Sequence, residues 1–438
     1  MLAERALTAV MRPLSRWYTS HGPVDDARIP APAPGQTYLL YAHVPFCERL
    51  CTYCSFNRFL FNEDIALRYF VDLREEMRIA AGLGYHFGSL YVGGGTPTIL
   101  VDELCQTIDL ARELFHIREV SAETSPNQIG PRLAAQLEGR VDRMSVGVQS
   151  FDDKLLRQMD RYEKYGSGRE LFEIISASRD LFHSLNVDMI FNFPSQTEAM
   201  LRRDARLLKE TGCNQTTFYP LMASPQQRRA LSQQIGHVDM TRERRFYDVI
   251  DEDLSTAFEH SSAWTFSKEK GGMIDEYIVD YPEYLGIGSG AQSFLAGRLY
   301  TNTFSLNDYA DRVRSGRLSV TQMGRKYSHR DMMRYRFVTD LFGLRLDKRR
   351  FLADFGTPVE RGLWGEVQFM RAAGGFDRDD AECFTLTRTG RYLLIVMMRE
   401  MLTGSNRLRD EARAALPAHE RALLLDGVPA EIAASLAS

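Results

Sequence analysis

Cys47, Cys51 and Cys54 lie in the run Tyr41-Ala-His-Val-Pro-Phe-Cys-Glu-Arg-Leu-Cys-Thr-Tyr-Cys-Ser-Phe-Asn57. Thiolates at C-x3-C-x2-C spacing satisfy three irons of a four-iron cluster and leave the fourth iron without a protein ligand. A closed ferredoxin-type cluster or a structural zinc site needs a further donor close by. Here Cys54 is followed by Ser55 and Phe56, and the next cysteine is Cys105. The spacing therefore points to a metal cluster whose open iron binds something else. Zinc with His43 as fourth ligand is the competing reading of the same residues, and His43 can equally be a packed residue that supports the loop.

The elements that must position this loop follow from hydrophobic periodicity. From residue 37 onward, short apolar strands alternate with longer amphipathic helices. Strands are expected at Thr37 to His43, Ser89 to Gly93, Val120 to Glu123, Arg143 to Val148, Asn186 to Phe191 and Asn214 to Tyr219. Helices at 65–82, 101–115, 130–138, 152–160, 168–182 and 198–211 have the period and length of crossovers in a parallel sheet. Six such repeats make a partial (β/α)6 barrel, an α/β fold whose site sits at the carboxyl ends of the strands. The cysteine loop directly follows the first strand, where that rule wants it.

Composition narrows the class. The chain has 438 residues, 44% hydrophobic, with a net charge of −4 and no apolar run that would span a bilayer. This balance does not favour a nucleic-acid partner. Six cysteines, three of them in one loop, suggest a reducing, cytoplasmic setting and no disulfide framework; Cys105, Cys213 and Cys383 read as small buried hydrophobes. Residues 1–36 form a preface: apolar Leu7, Val10, Met11, Leu14, Trp17 and Tyr18 at helical spacing, then the extended stretch Ile29-Pro-Ala-Pro-Ala-Pro-Gly35. Charges at Glu4, Arg5 and Arg12 argue against a signal peptide. The helix would pack on its own domain, or touch a membrane surface peripherally if the substrate is lipophilic. Residues 37–300 are assigned to the barrel and its extension, with a Gly-rich turn at Tyr284 to Ser293, and 301–438 to a mostly helical C-terminal domain.

The cysteine spacing, with Tyr53 before the third thiol, resembles the radical S-adenosylmethionine (SAM) superfamily. The resemblance implies a [4Fe-4S] cluster on Cys47, Cys51 and Cys54, with SAM on the open iron; one electron from the reduced cluster splits SAM and generates a 5′-deoxyadenosyl radical. Within it, residues 37–300 are similar to the oxygen-independent coproporphyrinogen III oxidase group. Gly93-Gly-Gly-Thr-Pro-Thr98 follows the second strand, Glu123 ends the third, Gly147-Val-Gln-Ser-Phe151 and Arg161 follow, and Asp188 lies on the fifth. By this resemblance Gly94, Gly95, Thr96, Glu123, Gln149, Arg161 and Asp188 hold SAM, and Tyr41 sits beside it.

The chain departs from that group at two places. Phe56 stands where the oxidases carry a further cysteine, and Asn192-Phe193-Pro194 replaces the usual Gly-Leu-Pro; both would lie beside the reactive centre. Related class C radical SAM methyltransferases, thought to hold a second SAM, act on planar conjugated carbons. The expectation is therefore an enzyme that modifies, and C-methylates, a planar substrate such as menaquinone or a tetrapyrrole. Coproporphyrinogen III oxidative decarboxylation and a non-catalytic haem carrier are the alternatives. A low-potential flavodoxin or ferredoxin is the electron donor the family implies. Aromatic segments Phe56 to Phe61, Phe218 to Met222 and Trp264 to Phe266 could line an apolar slot or fill the core. The nine Lys or Arg between Arg325 and Arg350, against three Asp, could meet substrate carboxylates or form a solvated helix face.

Overall fold

The structure is a computed structural model and describes residues 2–25, 27–269 and 271–425. Six parallel strands, β1 (Tyr38–Val44), β2 (Phe87–Gly94), β3 (Glu119–Thr124), β4 (Arg143–Gln149), β5 (Ser184–Phe191) and β6 (Gln215–Pro220), lie side by side in chain order. A helix crosses between each pair, as the periodicity requires, including Glu63–Gly82, Val101–Leu114 and Glu198–Thr211. In register, Ala42 faces Val92, Val92 faces Ala122, Ala122 faces Met144 and Met144 faces Leu185. These residues share one core with helix residues such as Phe70, Leu73, Met77, Leu104 and Ile108. The alternate positions carry Tyr41, Tyr91, Glu123, Arg143 and Asp188, polar groups on the opposite face of the sheet, inside the barrel. Strand alternation thus separates a helix-facing apolar layer from a polar interior.

The sheet extends beyond the repeats to thirteen strands among the described residues. Tyr284–Ile287 adds parallel to β1, and Gln292–Leu295, Arg298–Asn302, Val320–Gly324 and His21–Pro23 continue antiparallel from it. On the far edge Thr265–Ser267 pairs with β6. The segment Tyr284 to Ser293 is therefore not simply a turn: two strands flank a short turn. Its glycines serve close approach, because a Cβ at Gly286 would come within 2.2 Å of the Gln292 carbonyl oxygen.

The N-terminal helix Leu2–Tyr18 lies against the long helix Arg388–Ala414. The long helix begins four residues before the expected Tyr392, since the Thr387 side chain caps it by accepting from the Gly390 N–H at 3.1 Å. The Pro/Ala stretch is pinned to the barrel: Tyr85 Oη donates to the Pro30 carbonyl at 2.6 Å, and Ala33 N–H donates to Tyr38 Oη at 2.9 Å. The C-terminal region is helical but also carries a three-stranded sheet, Arg345–Asp347, Cys383–Leu386 and Phe376–Asp379, with Cys383–Leu386 central. Met1, Asp26 and residues 426–438 of the two flanking regions lie outside the described residues. No described helix is long and apolar enough to cross a membrane.

Candidate active site

Above the carboxyl ends of β1–β6 opens a cavity of ≈ 990 Å³, and every residue singled out as a candidate, Tyr41, Cys47, Cys51, Cys54, Gly94, Gly95, Thr96, Glu123, Gln149, Arg161 and Asp188, lines it. Residues drawn from five strands and their following loops thus meet in one place.

The cysteine loop is held from several sides. Phe46 and Cys47 pair with Phe59 and Leu60, and Arg58 donates to the carbonyls of Cys51 and Cys54, at 2.5 and 3.0 Å. The turn after β2 closes on it through Thr96 N–H to the Phe46 carbonyl, 2.7 Å, and Gly95 N–H to the Val44 carbonyl, 2.8 Å. A Cβ at Gly95 would meet that Phe46 oxygen at 2.4 Å, so glycine is required there by the approach itself. His43 donates from Nε2 to the Asn57 carbonyl (2.8 Å) and accepts at Nδ1 from Tyr41 Oη (2.9 Å). Burial holds it neutral, with its pKa pushed down to about 4. With both ring nitrogens engaged, His43 supports the loop and is not poised as a fourth metal donor.

The three loop cysteines carry no disulfide, and their surroundings suit an anionic cluster. Burial lifts the Cys47 thiol to about 11. At Cys51 burial acts in the same sense, but Arg161, Arg58 and Lys164 outweigh it and lower the thiol below its ordinary value. Arg161 Nη1 lies 3.5 Å from Cys51 Sγ, and its Nη2 donates to the Gly147 carbonyl. The Arg161 Nε and Arg58 Nη1 are buried without a partner. Three free thiols ringed by guanidinium groups, some with donors unspent, fit a cysteine-ligated cluster and an anionic group beside it.

Behind the turn after β2, Glu123 accepts from Gly94 N–H (3.1 Å) and lies 3.0 Å from Tyr91 Oη. Burial, then the charge of Asp275, raises its pKa to about 7. Tyr91 donates to Asp275 at 2.7 Å, and Asp275 pairs with Arg143 at 2.9 Å, both side chains almost fully buried. Asp188 accepts from Ser145 Oγ (2.8 Å) and Asn186 Nδ2 (2.7 Å). Burial and Asp275 push Asp188 well above the carboxylate range, whereas Arg143 holds Asp275 below it against burial. The one guanidinium among these acids therefore favours the ionised form of Asp275, whereas burial and the Asp275 charge favour the protonated form of Asp188. Gln149, at φ 76, turns the chain after β4 into the cavity.

Several residues of the site had no motif to mark them. Tyr91 and Arg143 could have been found as polar residues at the inward positions of apolar strands. Asp275 and Tyr277, remote from every motif, gave no such signal. Tyr277 stacks on Tyr41 with ring centres 5.9 Å apart, and contacts Tyr91 and Tyr284 at 5.4 and 5.2 Å.

Away from the strand ends much of the cavity wall is apolar. Leu7, Val10, Met11 and Leu14 from the N-terminal helix face Met397, Met398, Met401 and Leu402 from the long helix. The aromatic segments divide: Phe56, Tyr219, Leu221, Met222 and Trp264 line the cavity, whereas Phe59, Phe218 and Phe266 are core. The departure at Asn192-Phe193 does not reach the cavity, which corrects the expectation that it borders the reactive centre. Asn192 takes the left-handed conformation (φ 67) that its side chain tolerates, accepting from Arg242 Nε at 3.1 Å. Phe193 is fully buried with Leu155, Met159, Ile190 and Leu221. The basic run is largely neutralised: Arg325 pairs with Asp331 (3.0 Å), Arg334 with Glu366 (2.6 Å), Arg336 with Asp354 (3.0 Å) and Lys348 with Glu360 (2.6 Å). Only Arg330 and Arg334 of it line the cavity.

The radical SAM superfamily model matches residues 41–208, which include the end of β1, the cysteine loop and β2–β5. The chain is 25% identical over 375 residues to the heme chaperone HemW of Bacillus subtilis, covering 81% of this chain and 96% of that protein. It is 27% identical over 402 residues to the oxygen-independent coproporphyrinogen III oxidase of Paracoccus denitrificans, with 85% and 87% covered, and 25% identical over 370 residues to the anaerobilin synthase of Escherichia coli O157:H7, with 81% of each covered. Among solved structures, coproporphyrinogen III oxidase (HemN) from Escherichia coli superposes with a TM-score of 0.68 at 21% identity, covering 83% of this chain and 90% of that one, which shows the shared fold. The chain carries a radical SAM domain and is homologous to the oxygen-independent coproporphyrinogen III oxidase-like proteins.

Proposed function

We propose that this chain is a radical SAM enzyme that modifies, by C-methylation, a planar conjugated substrate of the tetrapyrrole class. The observation that carries this reading is the continuity of a single cavity, ≈ 990 Å³, from the three thiols and the acid-lined turn to a wide slot walled by methionines and tyrosines. Cys47, Cys51 and Cys54 would hold the [4Fe-4S] cluster, and Gly94, Gly95, Thr96, Glu123, Gln149, Arg161 and Asp188 would bind SAM. When bound, the cluster supplies the electron that cleaves SAM. The chain's own share is to seat the cofactor against the strand ends, to exclude water with the two helices, and to present the substrate's flat face to Tyr41 and Tyr277. A second SAM as methyl source and a flavodoxin or ferredoxin as electron donor belong to the same proposal.

A tetrapyrrole is favoured over menaquinone because two relatives aligned over most of their length are named for haem or coproporphyrinogen. Phe56, which lines the cavity where the oxidases would carry a further cysteine, favours a different reaction on such a substrate over oxidative decarboxylation. The test is anoxic reconstitution with iron, sulfide, SAM and a strong reductant. S-adenosylhomocysteine together with 5′-deoxyadenosine, and a tetrapyrrole heavier by one methyl group, are the expected products. 5′-Deoxyadenosine alone rejects the methyl-transfer half. A second reading, a haem carrier, is supported by the alignment across 96% of a heme chaperone; stoichiometric haem binding with no SAM cleavage would select it.

A further inference from the structure

Several guanidinium groups that line the cavity have carboxylate, thiol or backbone partners in the protein itself, whereas Arg409 has only a neutral side-chain amide. Arg58 and Arg161 bind the cysteine loop, and Arg334 pairs with Glu366. Arg409, on the long helix, lines the cavity and uses one N–H on Asn406 Oδ1, at 2.9 Å. Its plane sits over the ring of Phe56, 4.6 Å from the ring centre. Asn406 is itself fixed by donating to the Met222 carbonyl at 2.6 Å, so the guanidinium is aimed by packing on one side and a hydrogen bond on the other. Among the described residues no carboxylate reaches it: the adjacent Asp410 is turned to Arg413 at 2.6 Å. Besides Asn406, the groups whose charge would act on it are Tyr41, Cys54, Tyr277 and Tyr284, of the tyrosine floor and the cysteine loop. A guanidinium offers five donors in a planar fork, and holding one in an apolar setting without a counter-charge is costly.

The geometry points to Arg409 as a specificity residue that binds a carboxylate of the substrate while the conjugated plane lies against Tyr277. The assignment rests on the planar-substrate reading above and narrows it to acids, since a neutral quinone offers nothing to a fork of this kind. SAM also carries a carboxylate, so two sources share the chemistry. The substrate is the better match, because Arg409 comes from the helical wall and the residues assigned to SAM come from the strand ends.

The test measures equilibrium binding of protoporphyrin IX and of its dimethyl ester to the cluster-reconstituted full chain, with SAM affinity read separately. The native protein should prefer the diacid. Arg409→Gln should weaken the diacid roughly 10- to 100-fold and bring it level with the ester, the range for a charge-assisted hydrogen bond. Arg409→Lys, which keeps the charge but loses the fork, should restore part of the preference and reports on folding. An unchanged diacid-to-ester ratio in Arg409→Gln overturns the assignment, and a fall in SAM affinity with that ratio intact gives Arg409 to the cofactor's carboxylate instead. If the native protein binds neither porphyrin, the tetrapyrrole reading fails at its root and the assignment goes with it.

Discussion

At the strand-end wall of the cavity, Glu123, Asp188, Asp275, Arg143 and Tyr91 are joined in one hydrogen-bonded set around a buried ion pair. At the opposite wall, Leu2–Tyr18 and Arg388–Ala414 present leucine, valine and methionine side chains with few polar groups between them. A buried polar set tolerates almost no change, because each lost partner leaves a desolvated group behind. A methionine wall is adaptable, since unbranched thioethers repack around shapes that differ. The first wall is built to hold one fixed shape, and the second can adjust to more than one.

Four substitutions or conditions separate the two walls. The largest effect belongs to the cysteine loop: Cys51→Ser should abolish iron-sulfur absorbance and SAM cleavage together, while the circular dichroism of the fold persists. Retention of a full complement of iron would break the assignment of the loop. Next, Arg143→Met removes the cation that Asp275 faces, and truncating one side of a buried pair costs about 3–5 kcal/mol. A urea-unfolding midpoint within error of the native protein would mean that the set is looser than its distances indicate.

The third concerns Glu123, whose carboxyl is raised from 4.5 to about 7 in the folded chain. A carboxyl raised by folding favours the native state below its unfolded value, and that contribution is lost as pH climbs from 4.5 through 7. The loss is on the order of 3 kcal/mol. Glu123→Gln should flatten that part of the stability profile, and an unaltered slope would count against a buried, proton-holding Glu123. The smallest effect is expected on the adaptable wall. Met398→Ala should weaken substrate binding by no more than about tenfold and leave SAM affinity as it was, because neighbouring thioethers fill part of the space. Equal losses for SAM and substrate would erase the distinction between the walls.

The strands were legible because the helix-facing positions of β1–β6 are mostly apolar, with Thr124 and Thr216 as exceptions, a pattern that needs no distant partner to be recognised. The cysteine loop and the turn after β2 were legible for a different reason: their spacing is local, and local spacing survives in the chain as written. The start of the long helix is hidden in sequence because Arg388 to Gly390 has the composition of a turn, and only the cap from Thr387 makes it helical. Tyr284–Ile287 reads as part of a turn in sequence because glycines crowd the segment around it, while its parallel pairing with β1 depends on residues more than two hundred positions earlier. Asn192-Phe193 shows the reverse error. Proximity in sequence to Asp188 suggested proximity to the chemistry, and the side chains point into packing instead.

By itself the sequence determined the repeat of strand and helix, the three thiols and the order in which the motifs leave the strand ends, since each rests on period or spacing within a short window. Only the tertiary structure decided that Asp275 and Arg143 form the ionised centre of the barrel, that the N-terminal and long helices wall the cavity, and that Arg409 stands over Phe56. Those contacts join residues separated by a hundred positions or more. The free energy that selects them comes from desolvation and packing, which no stretch of chain possesses until it is folded against the rest.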